Sequence, residues 1–198
     1  MAITDGYTTL AEVKAILRIT DDVDDGLLET CVEAASRQIE THCERVFLPT
    51  TATRLFTPED SYLCSIDDLS TLTTLKTSSG ANGDFNITWE ATDLQLEPLN
   101  GLTGSAYSPY TRIRAIGDYV FPSVMGEATV QVTGVFGYGT SVPIDVKQAC
   151  NLLSIRQFKR YDSPLGVAGF GDIGIVRVSR VDPDIEALLG PYRKMRMA

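Results

Sequence analysis

The spacing of apolar residues changes twice along this chain, and those two changes constrain its fold more than any single motif. Leu10, Val13, Ile16 and Leu17, then Leu27, Leu28, Cys31, Val32, Ala35, Ile39 and Cys43, recur at helical intervals. From Pro49 the pattern gives way to short β-branched runs, and at Pro143 the helical spacing returns. Strands between helical ends read as an α+β fold, a helical core carrying an inserted antiparallel β-module. We place the helical core at 8–46 and 143–190, the β-rich insertion at 50–140 and a C-terminal tail at 191–198, all within one domain. A chain of 198 residues can bury roughly 70% of the surface its unfolded form exposes, so no staple is required.

Local signals mark the ends of the helices. Thr9 followed by Glu12 is a capping-box pair and predicts a short helix that stops near Arg18–Thr20. The hinge DDVDDG, with Asp21, Asp22, Asp24 and Asp25, leads into a long helix from about Asp24 to Arg45. Its acids suit the positive end of that helix and are read as N-terminal caps. A calcium loop is rejected, because Val23 and Val32 stand where an EF-hand needs oxygen ligands. Ala34, Ala35 and Ser36 are small enough for close helix packing. Pro143 and Ile144 open a third long helix to about Tyr161, with Arg156, Lys159 and Arg160 at the end that favours cations. Asp182-Pro183-Asp184 starts a short C-terminal helix bearing Ile185, Leu188 and Leu189, which Gly190-Pro191 breaks.

Strands are predicted at Thr51–Phe56, Tyr62–Ser65, Leu72–Lys76, Phe85–Glu90, Leu94–Glu97, Thr111–Ala115 and Ala128–Phe136. In the last, Val130, Val132 and Gly134 face opposite to Thr129, Gln131 and Thr133. The run GVFGYG at 134–139 has the wrong glycine order for a dinucleotide fingerprint, and Pro143 intervenes before the next helix. It reads as a strand-to-helix turn with exposed aromatics. Residues 163–174, SPLGVAGFGDIG, form an unusually apolar loop, and 175–179 read as an edge strand with Arg177 and Arg180 outward.

Charge and composition exclude several functions. The net charge is −9, and residues 143–198 are basic with nine bases and six acids, whereas 1–45 and 46–142 each hold ten acids and four bases. An acidic surface repels phosphate, so strong nucleic-acid binding is not expected. None of the four cysteines forms a CxxC, and His42 is the single histidine, which leaves zinc unsupported and the thiols buried and reduced. No HExxH, GxSxG or Walker motif is present, His42 is read as structural, and no enzyme, cofactor or metal is expected. The start, MAITDGYTTL, lacks the features of a secretory signal, and no run reaches the roughly 20 apolar residues of a membrane span. Folding in a cytoplasm is expected.

The opening, TTLAEVKAILRITDDVDDGLLETCVEAASRQIETHCERVF, resembles the head–tail connector (head completion or neck adaptor) proteins of long-tailed bacteriophages. Leu10, Val13, Leu17, the Asp21–Asp25 hinge, Leu27, Leu28, Ala34, Ala35 and Ile39 carry the likeness. The ending, IGIVRVSRVDPDIEALLGPYRK, resembles longer members from phages of actinobacteria through Pro183, Ile185, Leu188, Leu189, Pro191, Tyr192 and Arg193. Together the two matches cover about a third of the chain, and the β-rich middle departs from the shortest, nearly all-helical members.

The resemblance implies a structural virion protein at the head–tail interface, assembled in the host cytoplasm. It implies a homo-oligomeric ring, usually of twelve subunits, between the portal of the DNA-filled head and the next neck or tail-completion protein. Double-stranded DNA would pass through without specific binding, and no membrane is involved. Asp21, Asp22, Asp24 and Asp25 are candidates to face the channel. Val167, Phe170, Arg177, Arg180, Pro191, Tyr192, Arg193, Lys194 and Arg196 are candidates for partner contact. The alternative is an oligomeric receptor- or cell-wall-binding β-module, with Tyr107, Tyr110, Tyr119 and Phe121 as its patch.

Overall fold

The computed structural model describes residues 3, 5–78, 83–101, 108–122, 127–161 and 182–194. The chain divides into two units, one formed by 1–45 with 142–198 and the other by 46–141. The fold is α+β: the described residues form four α-helices in the first unit and a six-stranded antiparallel sheet in the second.

In the first unit, α1 (Leu10–Leu17) begins at the expected capping box. The Thr9 hydroxyl accepts from Glu12 N–H at 3.3 Å, and the Glu12 carboxylate accepts from Thr9 N–H at 3.3 Å. The helix ends at Arg18, held in the left-handed region at φ 58°. Helix α2 (Asp25–Cys43) packs beside α3 (Ile144–Tyr161); α2 buries Leu28, Cys31, Val32, Ala35, Ile39 and Cys43, and α3 buries Val146, Ala149, Cys150 and Leu153. Burying each of the larger aliphatic side chains stabilises the unit by about 1.5–3 kcal/mol.

Close approach of α2 and α3 depends on small residues. Ser36 Oγ donates to the Val32 carbonyl at 2.8 Å and lies 3.4 Å from Cys150 Sγ. Ser36 also accepts Tyr7 N–H at 3.0 Å, so a polar atom in the core keeps its partners. Ala35 and Ser36 are buried there, whereas Ala34 is exposed and takes no part, contrary to its grouping with them in the sequence.

Helix α4 (Pro183–Leu189) starts as expected. The Asp182 carboxylate accepts from Asp184 N–H at 3.1 Å, Pro183 occupies the first turn, and Ile185 and Leu189 are buried. A 3₁₀ turn (Gly190–Tyr192) follows.

The second unit is one antiparallel sheet in the order β1-β6-β2-β5-β4, with β3 also paired to β2. The strands are β1 (Thr50–Phe56), β2 (Leu63–Thr77), β3 (Ile87–Trp89), β4 (Leu94–Glu97), β5 (Tyr110–Ala115) and β6 (Val130–Phe136). Where the sequence predicts two strands at Tyr62–Ser65 and Leu72–Lys76, there is a single strand of 15 residues. Its first part pairs β5 and its later part pairs β6 and β3, with register shifts between Ser65 and Leu69 and again between Leu69 and Thr74. Asp68, Leu69 and Ser70 are buried in succession at these bulges, which interrupts the period of two and makes one strand look like two.

The core of this unit gathers Cys64, Ile66, Leu69, Leu75, Trp89, Ile113, Phe121, Val130, Val132 and Phe136. Val130, Val132 and Gly134 are buried on β6 as expected, but Thr129 is also buried and donates its hydroxyl to the Pro122 carbonyl at 2.6 Å. Gly134 meets a bulge of β2 so closely that a Cβ there would lie 2.3 Å from the Thr71 carbonyl oxygen. The aromatics of the GVFGYG run are not exposed. Phe136 is core, and Tyr138 is buried with its ring 5.5 Å from that of Phe47.

Candidate assembly surfaces

The acidic hinge divides into two pairs. Asp21 and Asp22 are exposed, and Asp21 turns its carboxylate to Val23 N–H at 3.3 Å. Asp24 and Asp25 are half-buried. Asp24 occupies the N-cap position of α2 but makes no side-chain capping bond, so the capping role read from sequence does not hold for it. Asp25 pairs with Lys14 Nζ at 2.5 Å and ties α1 to α2. Asp25 is thus spent on the helical unit itself, and the outward acidic surface of the hinge rests on Asp21 and Asp22.

A second tie joins α1 to α3. Glu12 Oε1 accepts from Lys147 Nζ at 2.6 Å, and Thr8 Oγ1 donates to Asn151 Oδ1 at 2.6 Å. The Lys147 hydrogen bond, aided by those of Thr8 and Thr9, lowers the Glu12 carboxyl pKa to about 2, against the opposing effect of burial.

The C-terminal candidates are only partly outward. Tyr192 donates its hydroxyl to Asp145 Oδ2 at 3.0 Å, and Lys194 N–H donates to the Cys43 carbonyl at 3.0 Å. These bonds return the chain after α4 to the start of α3 and the end of α2. Pro191 and Arg193 are exposed. Val167, Phe170, Arg177, Arg180 and Arg196 lie outside the described residues, as do the segments 163–174 and 175–179 that the sequence reads as a loop and an edge strand. Between α2, α3 and α4 runs a groove of about 260 Å³ whose polar lining includes Gln38, His42, Arg156, Gln157 and Arg160. His42, the sole histidine, sits half-buried in this wall.

The aromatic patch of the alternative reading does not exist as drawn. Phe121 is core, stacked on Trp89 at 4.8 Å between centroids, and Tyr110 packs partly buried against the same core. Tyr107 lies outside the described residues. Tyr119 alone stands exposed among the described members, at 42%. Sequence reading missed its actual neighbours. Tyr62, Ile116 and Val120 are exposed beside it, on the turns before β2 and after β5. The available signal was an Ile, a Tyr and a Val flanking Gly117-Asp118, apolar residues at a turn where water is the default neighbour.

All four cysteines are free and buried, and burial pushes the Cys43 thiol up to about 11 and the Cys64 thiol to about 12. Among the described residues no group of His, Cys, Asp and Glu is placed to hold a metal ion, and no helix is long and apolar enough to cross a membrane.

Residues 7–82, which include α1, α2, β1 and β2, match the family described as phage gp6-like head-tail connector protein. The match supports the resemblance carried by the first two helices. No curated protein sequence matches the chain. Among solved structures, a chain from the neck of an empty gene transfer agent particle, computed with C6 symmetry, is 19% identical with a TM-score of 0.62. That alignment covers 100% of this chain and 95% of the other. A chain from the neck of the native particle, computed with C12 symmetry, is 19% identical with a TM-score of 0.60, covering 100% and 94%. A third, from the virion of the native gene transfer agent, is 21% identical with a TM-score of 0.60, covering 100% and 95%. The likeness is one of fold and spans the whole chain. The family is described as a head-tail connector, and the structures are of a particle's neck and of its virion.

Proposed function

We propose that this chain, whose residues 7–82 carry the head–tail connector pattern, is a structural virion protein of the neck. In this reading its copies form a ring adaptor between the portal of the DNA-filled head and the next neck or tail-completion protein, and extend the DNA channel. The observation that carries the reading is the whole-length likeness to neck chains, which takes in both the helical unit and the β unit. Those necks are described under sixfold and twelvefold symmetry, which supports a ring, and twelve copies in the particle is our assignment.

The electrostatics agree with passage of DNA rather than capture. With a net charge of −9 and Asp21 and Asp22 exposed at the hinge, a channel lined by this surface would repel phosphate. Asp24 and Asp25 belong to the same acidic end, partly sheltered. Pro191, Tyr192, Arg193 and Lys194 are the described candidates for partner contact, and Val167, Phe170, Arg177, Arg180 and Arg196 extend that assignment into neighbouring sequence. Assembly would take place in the host cytoplasm, with the mature protein in the virion.

The test is co-sedimentation of the purified chain with DNA-filled, tailless heads, followed by electron microscopy of the portal vertex. A ring bound below the portal is the expected result. A folded, monodisperse protein that does not bind that vertex would overturn the reading.

A further inference from the structure

We infer that an apolar knob on the β unit receives the next copy of this chain, and that its occupant is the basic C-terminal end of that copy's α3. The inference rests on the ring reading above. Tyr62, Ile116, Tyr119 and Val120 are 53%, 39%, 42% and 49% exposed. Two backbone bonds, Ala115 N–H to the Tyr62 carbonyl at 2.9 Å and Phe121 N–H to the Ser61 carbonyl at 2.8 Å, fasten their two turns into one surface.

That surface is preformed. Tyr119 packs on Trp89 with centroids 5.3 Å apart, and Phe121 anchors the end of the turn in the core. A clustered apolar surface of this kind marks an interaction site, and one already ordered loses little freedom on docking.

The rim of the knob selects the occupant. Glu59, Asp60 and Asp118 stand exposed on the same two turns. Arg114, the base near Asp60, is held by Glu97 at 2.6 Å, so the rim stays acidic. A matching surface needs bases around an apolar tip. The last turn of α3 has that form, with Lys159 and Arg160 exposed beside Tyr161, which is 72% exposed. The two surfaces differ, so their pairing is head to tail, the kind of contact that closes into a ring when repeated.

The experiment places a photo-cross-linking benzophenone amino acid at Tyr62, in the chain as it stands in purified particles, and maps the products by mass spectrometry. A link from one copy to the α3 end containing Lys159–Tyr161 of another is expected. Particles that carry the ring but link elsewhere, or give no inter-copy link, overturn the surface and leave the ring reading standing. Particles without the chain at the neck overturn both. In parallel, Asp118→Lys and Lys159→Glu should each lower incorporation about tenfold, and their combination should restore most of it. A combined loss no smaller than that of either single variant, with native circular dichroism, overturns the pairing.

Discussion

Two glycines give the sharpest test of the physical reasoning, because one substitution should have opposite effects at the two sites. At Gly134 an added methyl would sit 2.3 Å from the Thr71 carbonyl oxygen and 3.0 Å from Leu69 Cδ1. The first gap is about 1 Å short of an ordinary carbon–oxygen contact. Thr71 is backbone at a bulge of β2, so the strand must move rather than a side chain turn aside. Overpacking of this sort costs about 1–3 kcal/mol, and a backbone obstacle places Gly134→Ala near about 3 kcal/mol. At Gly26, in the first turn of α2, nothing lies within 4 Å of the added methyl, and Gly26→Ala should stabilise by about 0.5 kcal/mol through helix propensity.

Urea unfolding followed by fluorescence reads the first effect well. Trp89 is the only tryptophan and lies in the core of the β unit. With a slope of about 2 kcal/mol/M, Gly134→Ala should lower the midpoint by about 1.5 M. Far-UV circular dichroism reads Gly26→Ala in the helices. A Gly134→Ala variant within about 0.5 kcal/mol of the parent would refute the argument that this crossing of β6 and β2 requires glycine.

Three further outcomes are expected. Tyr192→Phe removes the hydroxyl that reaches Asp145 and should cost about 1 kcal/mol, lowering Tm by about 2–4 °C in calorimetry; an unchanged Tm would show the bond to be idle. Because the folded Glu12 pKa is depressed from 4.5 to about 2, its contribution is fully present above about pH 4.5 and is lost as pH falls through about 2. The stability gap between the parent and Glu12→Gln should therefore narrow over that window, and a gap independent of pH would count against the Lys147 tie. Ellman's reagent should label none of the four thiols promptly at neutral pH in the native protein and all four after unfolding, since burial raises each of their pKa values.

The helical unit was largely legible in the sequence because its signals are local. The Thr9–Glu12 pair, Pro143 before the third helix and Asp182-Pro183 before the fourth each act within one turn, and α1, α3 and α4 begin where these residues direct. What the reading missed depends on partners far along the chain. Asp25 reads as one more helix-end acid, whereas its carboxylate is paired with Lys14. Phe121 reads as a surface aromatic, but its stacking partner, Trp89, lies far back along the chain on β3. β2 looked like two strands because its bulged turn of residues answers to β5 and β6 rather than to its own period. The interaction surfaces were least legible, since apolar residues at a turn announce exposure only once the turn is placed.

The helical unit is discontinuous in sequence, and this orders events during synthesis. Residues 46–141 form an uninterrupted unit that can fold once they leave the ribosome. The α1–α2 pair must by contrast wait for α3 to cover Val32 and Ala35, and for residues 190–194 to reach back to Asp145 and Cys43. A chain stopped before residue 144 therefore holds every strand of the described sheet but lacks α3 and α4, which complete the helical unit. The bond from Lys194 N–H to the Cys43 carbonyl joins the last described residue to the end of α2, so it can form only once the chain has been translated that far.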